Sequence, residues 1–130
     1  MNNRTKRKIL SIEDTSSFRI LIRMTLEFEG FEVIEAIDGQ TGLELVRSAT
    51  PDLILLDLML PDIKGLDVCR QIMADSRLCK IPIVVLSSSN DSDDIEHCMQ
   101  AGVQGYLLKP FRPKFLIDMV RQRLAATSAA

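Results

Sequence analysis

Two short stretches of this chain, Leu53-Ile54-Leu55-Leu56 and Ile83-Val84-Val85-Leu86, are apolar at every position. Successive strand residues point to opposite faces, so a strand with one wet face alternates apolar with polar residues. A strand that is apolar throughout has to be covered on both sides, which is the signature of a parallel sheet between layers of helix. Around these two runs the chain alternates short apolar segments with longer amphipathic ones. Residues 8–12 read as a first strand, and residues 16–28 as a helix with Phe18, Leu21, Ile22 and Leu26 on one face. Thr15 stands ready to cap that helix and Gly30 to stop it. Residues 32–36 and 39–48 form the second strand and helix, the latter with Gly42, Leu45, Val46 and Ala49 at helical spacing. A helix over 65–75 follows the third strand. A helix over 91–101 follows the fourth, and a fifth pair occupies 105–109 and 113–126, with 127–130 expected to fray. Five strand–helix units joined by right-handed crossovers give an open α/β sheet with helices on both faces.

At 130 residues the chain suffices for one compact domain, with no internal repeat or linker to mark a second. Its net charge of −2 argues against nucleic-acid binding through a broad basic surface. No apolar run approaches the roughly 20 residues needed to span a bilayer. The basic start from Arg4 to Lys8 is followed by too short an apolar stretch for an export signal, so a cytoplasmic location is expected. Cys69, Cys79 and Cys98 are odd in number and suggest no disulfide framework. With His97 they match no compact zinc motif, and Cys69 and Cys98 read as buried or half-buried helix thiols.

In open α/β sheets, sites form beyond the carboxyl ends of the strands. Glu13 and Asp14 follow the first strand, Asp57 ends the third, Ser87 the fourth and Lys109 the fifth. Each has an ordinary reading alone: Asp14 as a helix cap, Ser87 as a turn residue, Lys109 as a solvated cation. Together they are three carboxylates, a hydroxyl and an amine on one edge. Crowded carboxylates repel, and a hard divalent cation with oxygen ligands relieves the repulsion. Mg²⁺ suits such a site because it keeps several waters. A carboxylate beside a cation, a hydroxyl and a lysine fits phosphoryl transfer, with Asp57 as nucleophile.

The segments Ile12-Glu13-Asp14, Pro51 to Asp62 with Gly65, Ile83 to Ser87, and Gly105-Tyr106-Leu107-Leu108-Lys109-Pro110-Phe111 carry a further signal. With them the chain resembles the receiver domains of response regulators in two-component signalling, similar to the stand-alone chemotaxis-type regulators. The resemblance covers residues 8–124 and makes residues 1–130 a single receiver domain. It implies a flavodoxin-like five-stranded parallel sheet in the order 2-1-3-4-5. It implies that Asp57 accepts a phosphoryl group from a histidine kinase or histidine phosphotransfer protein. Asp14 would bind Mg²⁺ or Mn²⁺ directly, Glu13 through water, Asp57 itself, and Met59 through its backbone carbonyl. Ser87 and Lys109 would hold the phosphoryl group, and Ser87 and Tyr106 would move as switches. A cis Lys109-Pro110 bond is implied as well. So is a protein partner that reads the switched face of the fourth helix, fifth strand and fifth helix. No direct nucleic-acid contact and no membrane insertion are implied, and a phosphorylation-dependent dimer is left open. The only catalysis implied is the domain's own phosphoryl transfer and dephosphorylation. Since no output domain is read in the sequence, the effect would pass by protein contact, or the chain would be a piece of a longer regulator.

Glu13 stands where Asp is commoner in that family, Ser87 where Thr is, and Ser88 where Ala is. None of these removes a required group. Met59 and Ser89 flank the site without a charge to orient an attacking water, which predicts slow self-dephosphorylation. A hydrolase of the haloacid-dehalogenase type would want an acid at Met59. A flavin or nucleotide site would want a Gly- or hydroxyl-rich loop where Glu13-Asp14 stand. An interaction module that keeps the fold without phosphorylation is opposed by the intact acidic set. Asp91, Asp93 and Asp94 lack the spacing of a calcium loop and suit a helix start. His97 reads as a surface residue, not a phosphodonor.

Overall fold

The computed structural model describes residues 6–128. Its elements alternate strictly: β1 (Lys8–Ile12), α1 (Ser16–Phe28), β2 (Glu32–Ala36), α2 (Gly39–Ala49), β3 (Leu53–Asp57), α3 (Gly65–Met73), β4 (Ile83–Ser87), α4 (Ser92–Gln100), β5 (Gly105–Leu108) and α5 (Pro113–Ser128). The strands form one sheet in the order β2-β1-β3-β4-β5, and every pairing is parallel. The fold class expected from the sequence is the one observed.

The two all-apolar runs are the middle of this sheet, and they feed two separate cores in alternation. Ile54, Leu56, Ile83 and Val85 pack with Leu43 and Val46 of α2, Val68, Cys69 and Ile72 of α3, and Cys98 of α4. Leu53, Leu55, Val84 and Leu86 pack on the other face with Ile22 and Leu26 of α1 and Leu116, Val120 and Leu124 of α5. A polar residue at any of these strand positions would therefore be stranded in one core or the other. Truncating one of these leucines to alanine would cost about 2–5 kcal/mol.

Register then places the site. Ile12 pairs with Leu56, so Glu13 leaves the sheet level with Asp57. Asp57 pairs with Leu86, and Ser87 with Leu108. The Lys109 N–H donates to the Ser87 carbonyl at 2.8 Å, one residue beyond β5.

Several element ends differ from the sequence reading. α3 stops at Met73 because Asp75 turns the chain: its Oδ1 accepts from the Arg77 N–H at 2.8 Å, a local bond that competes with helix. α5 continues through Thr127, whose hydroxyl donates back to the Arg123 carbonyl at 3.0 Å, so the expected fraying does not begin there. Residues 129–130 lie outside the described residues, as do Arg4 and Thr5 of the basic start. α2 runs one residue further, to Ala49, and ends on Thr50 in the left-handed region at φ 42°. α4 starts at Ser92, with Asp91 as its cap accepting from Asp93 N–H at 2.8 Å. Thr15 occupies the cap position of α1, but its hydroxyl makes no capping bond. Gly30, at φ 94°, supplies the turn that ends α1. Lys109-Pro110 is cis.

Candidate functional site

Glu13, Asp57, Ser87 and Lys109 meet at the carboxyl edge of the sheet, with Asp14 at its rim. The residues at the ends of β1, β3 and β4 are buried: Glu13, Asp57 and Ser87 are 1%, 4% and 3% exposed. The Lys109 ammonium lies 2.7 Å from Glu13 Oε1 and 3.6 Å from Asp57 Oδ1. It also sits 4.4 Å over the centre of the Phe18 ring, whose face attracts a cation. Phe18 in turn meets Phe111 at 6.0 Å between ring centres. The sequence pattern placed Phe18 on the core face of α1 and gave no sign of this second contact.

One oxygen from each of Glu13, Asp14 and Asp57 lies within 4.8 Å of the others. Asp14 stays exposed, as a ligand reached from solvent would, and does not cap α1. Glu13 Oε2 accepts from the Thr15 N–H at 3.2 Å. Burial pushes the Glu13 carboxyl above the usual carboxylate range; the bond to Lys109 opposes this and the charge on Asp57 adds to it. Two of these acids, Glu13 and Asp57, share the Lys109 ammonium. This donor set, all hard oxygens with one open side, fits Mg²⁺ or Mn²⁺.

Asp57 Oδ1 accepts from the Met59 N–H at 3.1 Å, so the chain folds back over the acid directly after β3. Met59 itself is 78% exposed. Ser87 Oγ accepts from the Ser89 N–H at 3.1 Å. Tyr106, on β5, is half-buried, and its hydroxyl donates to the Ser89 carbonyl at 2.8 Å. Ser87 and Tyr106, which the resemblance names together as switch residues, are joined through Ser89. Asp62, which the sequence reading gave no role, turns out to be bonded to the start of α2. His97 is exposed on α4, Cys69 and Cys98 are buried, and Cys79 is half-buried. The described residues contain no helix long and apolar enough to cross a membrane.

The model of the response regulator receiver domain family matches residues 9–121. The chain is 41% identical over 119 residues to the DNA-binding response regulator MtrA of Mycolicibacterium paratuberculosis, covering 92% of this chain and 52% of that protein. The chain thus spans about half the length of that relative. Its fold is similar to the phosphorylated cyanobacterial phytochrome response regulator RcpA, at TM-score 0.78 and 35% identity, covering 90% of each chain. It is also similar to the receiver domain of sensor histidine kinase PA1611 from Pseudomonas aeruginosa PAO1, at TM-score 0.86 and 29% identity, covering 92% of this chain and 98% of that one. That structure holds a magnesium ion coordinated in its active-site cleft.

Proposed function

Because this chain belongs to the response regulator receiver domain family, we propose that Asp57 is its phosphoacceptor and that residues 1–130 act as one phosphorylation-driven switch. The observation that carries this reading is the meeting of Asp57, Glu13 and Lys109 within 3.6 Å of the lysine nitrogen at a buried sheet edge. An Asp57 carboxylate oxygen attacks the phosphorus of a phosphohistidine on a kinase or phosphotransfer protein. A P–O bond forms, the P–N bond breaks, and the imidazole leaves with the electron pair. Glu13, Asp14, Asp57 and the Met59 carbonyl would hold Mg²⁺, which supplies charge neutralisation for the transferring group. Lys109 turns from Glu13 toward the phosphoryl oxygens as a point charge. Ser87 gives up its bond with Ser89 and donates to the phosphoryl group.

That exchange loosens Ser89, to which Tyr106 is bonded. The face of α4, β5 and α5 then shifts between two populations, and a protein partner reads the difference. A cytoplasmic location goes with this reading. The expectation of no nucleic-acid contact does not extend to a longer regulator, since the 41% identical relative is by name DNA-binding. The test is labelling by acetyl phosphate with Mg²⁺, repeated on Asp57→Asn. The parent chain takes up one phosphoryl group and the variant takes none; an unlabelled parent sinks the reading.

A further inference from the structure

The segment that carries Met59, residues 58–64, leaves the sheet and returns to α3. Its return is closed where the Gly65 N–H donates to the Leu58 carbonyl at 3.0 Å. A Cβ on Gly65 would meet the Asp57 carbonyl and lie 2.6 Å from Leu58 Cα, so only glycine lets the two backbones pass. Its outer end is held by Asp62. Oδ1 of that carboxylate accepts from the Gly39 N–H at 2.7 Å and Oδ2 from the Gln40 N–H at 2.9 Å. Oδ1 also takes the Ile63 N–H at 2.8 Å.

Gly39 and Gln40 are the first two residues of α2, whose own cap, Asp38, accepts with its side chain from the Thr41 N–H at 2.8 Å. One helix start is therefore served by two aspartates, one adjacent and one 22–23 residues away in the chain. The fit is close: a Cβ on Gly39 would lie 3.0 Å from Ile63 Cβ and 3.2 Å from Asp62 Oδ1. The backbone bonds from Gly39 and Gln40 hold the Asp62 carboxyl below the usual carboxylate range.

We infer that Asp62 is a positioning residue for the phosphoacceptor site: by seating residues 58–64 on the first turn of α2 it fixes the Met59 backbone, and through it the metal-facing edge around Asp57. The inference rests on the proposed function of Asp57. A helix-capping role alone would also explain the bonds to Gly39 and Gln40, and Asp38 separates the two. Asp38→Ala removes a cap from the same helix but leaves the 58–64 segment tied.

The experiment measures Mg²⁺ affinity by calorimetry, the urea midpoint, and the rate of labelling by acetyl phosphate. Asp62→Ala weakens Mg²⁺ binding by about tenfold, the usual scale for loss of a supporting group, and slows labelling. Asp38→Ala lowers the urea midpoint and leaves Mg²⁺ affinity within about twofold of the parent. Asp62→Asn, which keeps one acceptor oxygen, falls between parent and Asp62→Ala. If Asp62→Ala does not fold, Gly39→Ala takes its place, since it crowds the segment with the carboxylate present and weakens Mg²⁺ in the same direction. A normal parent with unchanged Mg²⁺ affinity in Asp62→Ala, or in Gly39→Ala where that variant stands in, overturns the inference alone, as does an equal loss in Asp38→Ala. A parent that neither binds Mg²⁺ nor takes label overturns the proposed function and this inference with it.

Discussion

The Lys109 ammonium is 2.7 Å from Glu13 Oε1, and both side chains are buried, at 6% and 1% exposed. The pair is not a simple structural ion pair, because Asp57 lies 3.6 Å from the same nitrogen and competes for it. Removing the cation leaves two buried carboxylates facing each other. Lys109→Met should therefore lower stability by about 3 kcal/mol in the absence of metal, the scale for breaking a buried pair. It should also slow labelling of Asp57 about a hundredfold, the scale for losing one charge-stabilising donor. Urea denaturation and phosphodonor kinetics on the one variant read both effects. An unchanged labelling rate would remove Lys109 from the reaction.

Asp14 is the exposed member of the three-acid group. It adds repulsion to the metal-free protein and contributes no capping bond to α1. Asp14→Ala should leave the metal-free urea midpoint unchanged or raised, while Mg²⁺ affinity falls at least about tenfold. Calorimetric titration with Mg²⁺ checks this. A variant that loses stability without losing Mg²⁺ affinity would assign Asp14 a structural role.

Tyr106 and Ser89 share one hydrogen bond, from hydroxyl to carbonyl, at 2.8 Å. Tyr106→Phe deletes it with little change of shape. The stability cost is about 1 kcal/mol, the net value of one such bond. Labelling of Asp57 should stay within about twofold of the parent, because the Tyr106 hydroxyl bonds Ser89 and not Asp57. What should change is the coupling. Amide shifts in α4 on adding beryllofluoride, compared between parent and variant, should shrink; shifts equal to the parent's would take Tyr106 out of the switch.

Burial, and secondarily the nearby Cys98, push the Cys69 thiol up to about 11 against an ordinary value of 9.0. The folded state therefore holds its proton more tightly than the unfolded chain. The stability that this contributes is complete below pH 9 and is lost as pH rises through about 11. Iodoacetamide at pH 9 should therefore label native Cys69, whose thiol is buried and held protonated, at least about tenfold more slowly than the half-buried Cys79. Mass mapping after timed alkylation gives the ratio. Comparable rates would show that α3 opens readily from the sheet.

The central strands were legible in the sequence because both of their faces are dry, which leaves no room for a polar residue. The placement of the candidate site residues was legible for a related reason: a polar residue directly after an apolar run marks where the strand leaves the core. Helix ends were less so. Asp75 ends α3 through its own side chain, and Thr127 extends α5 through a back-bond, and neither effect follows from hydrophobic spacing. The tie between Asp62 and Gly39 joins residues 23 apart in the chain and leaves no periodic trace. Phe18 shows the same limit, since one ring serves both the core beneath it and the lysine above it.

Where the phosphoryl group goes can be read directly. Intact protein is treated with acetyl phosphate and Mg²⁺, the acyl phosphate is trapped by borohydride reduction, and the reduced residue is located by peptide mass mapping. A single reduced aspartate is expected at Asp57, lost when Mg²⁺ is chelated. Reduction at another acid, or a phosphoryl group stable to borohydride on Ser87 or His97, would contradict it.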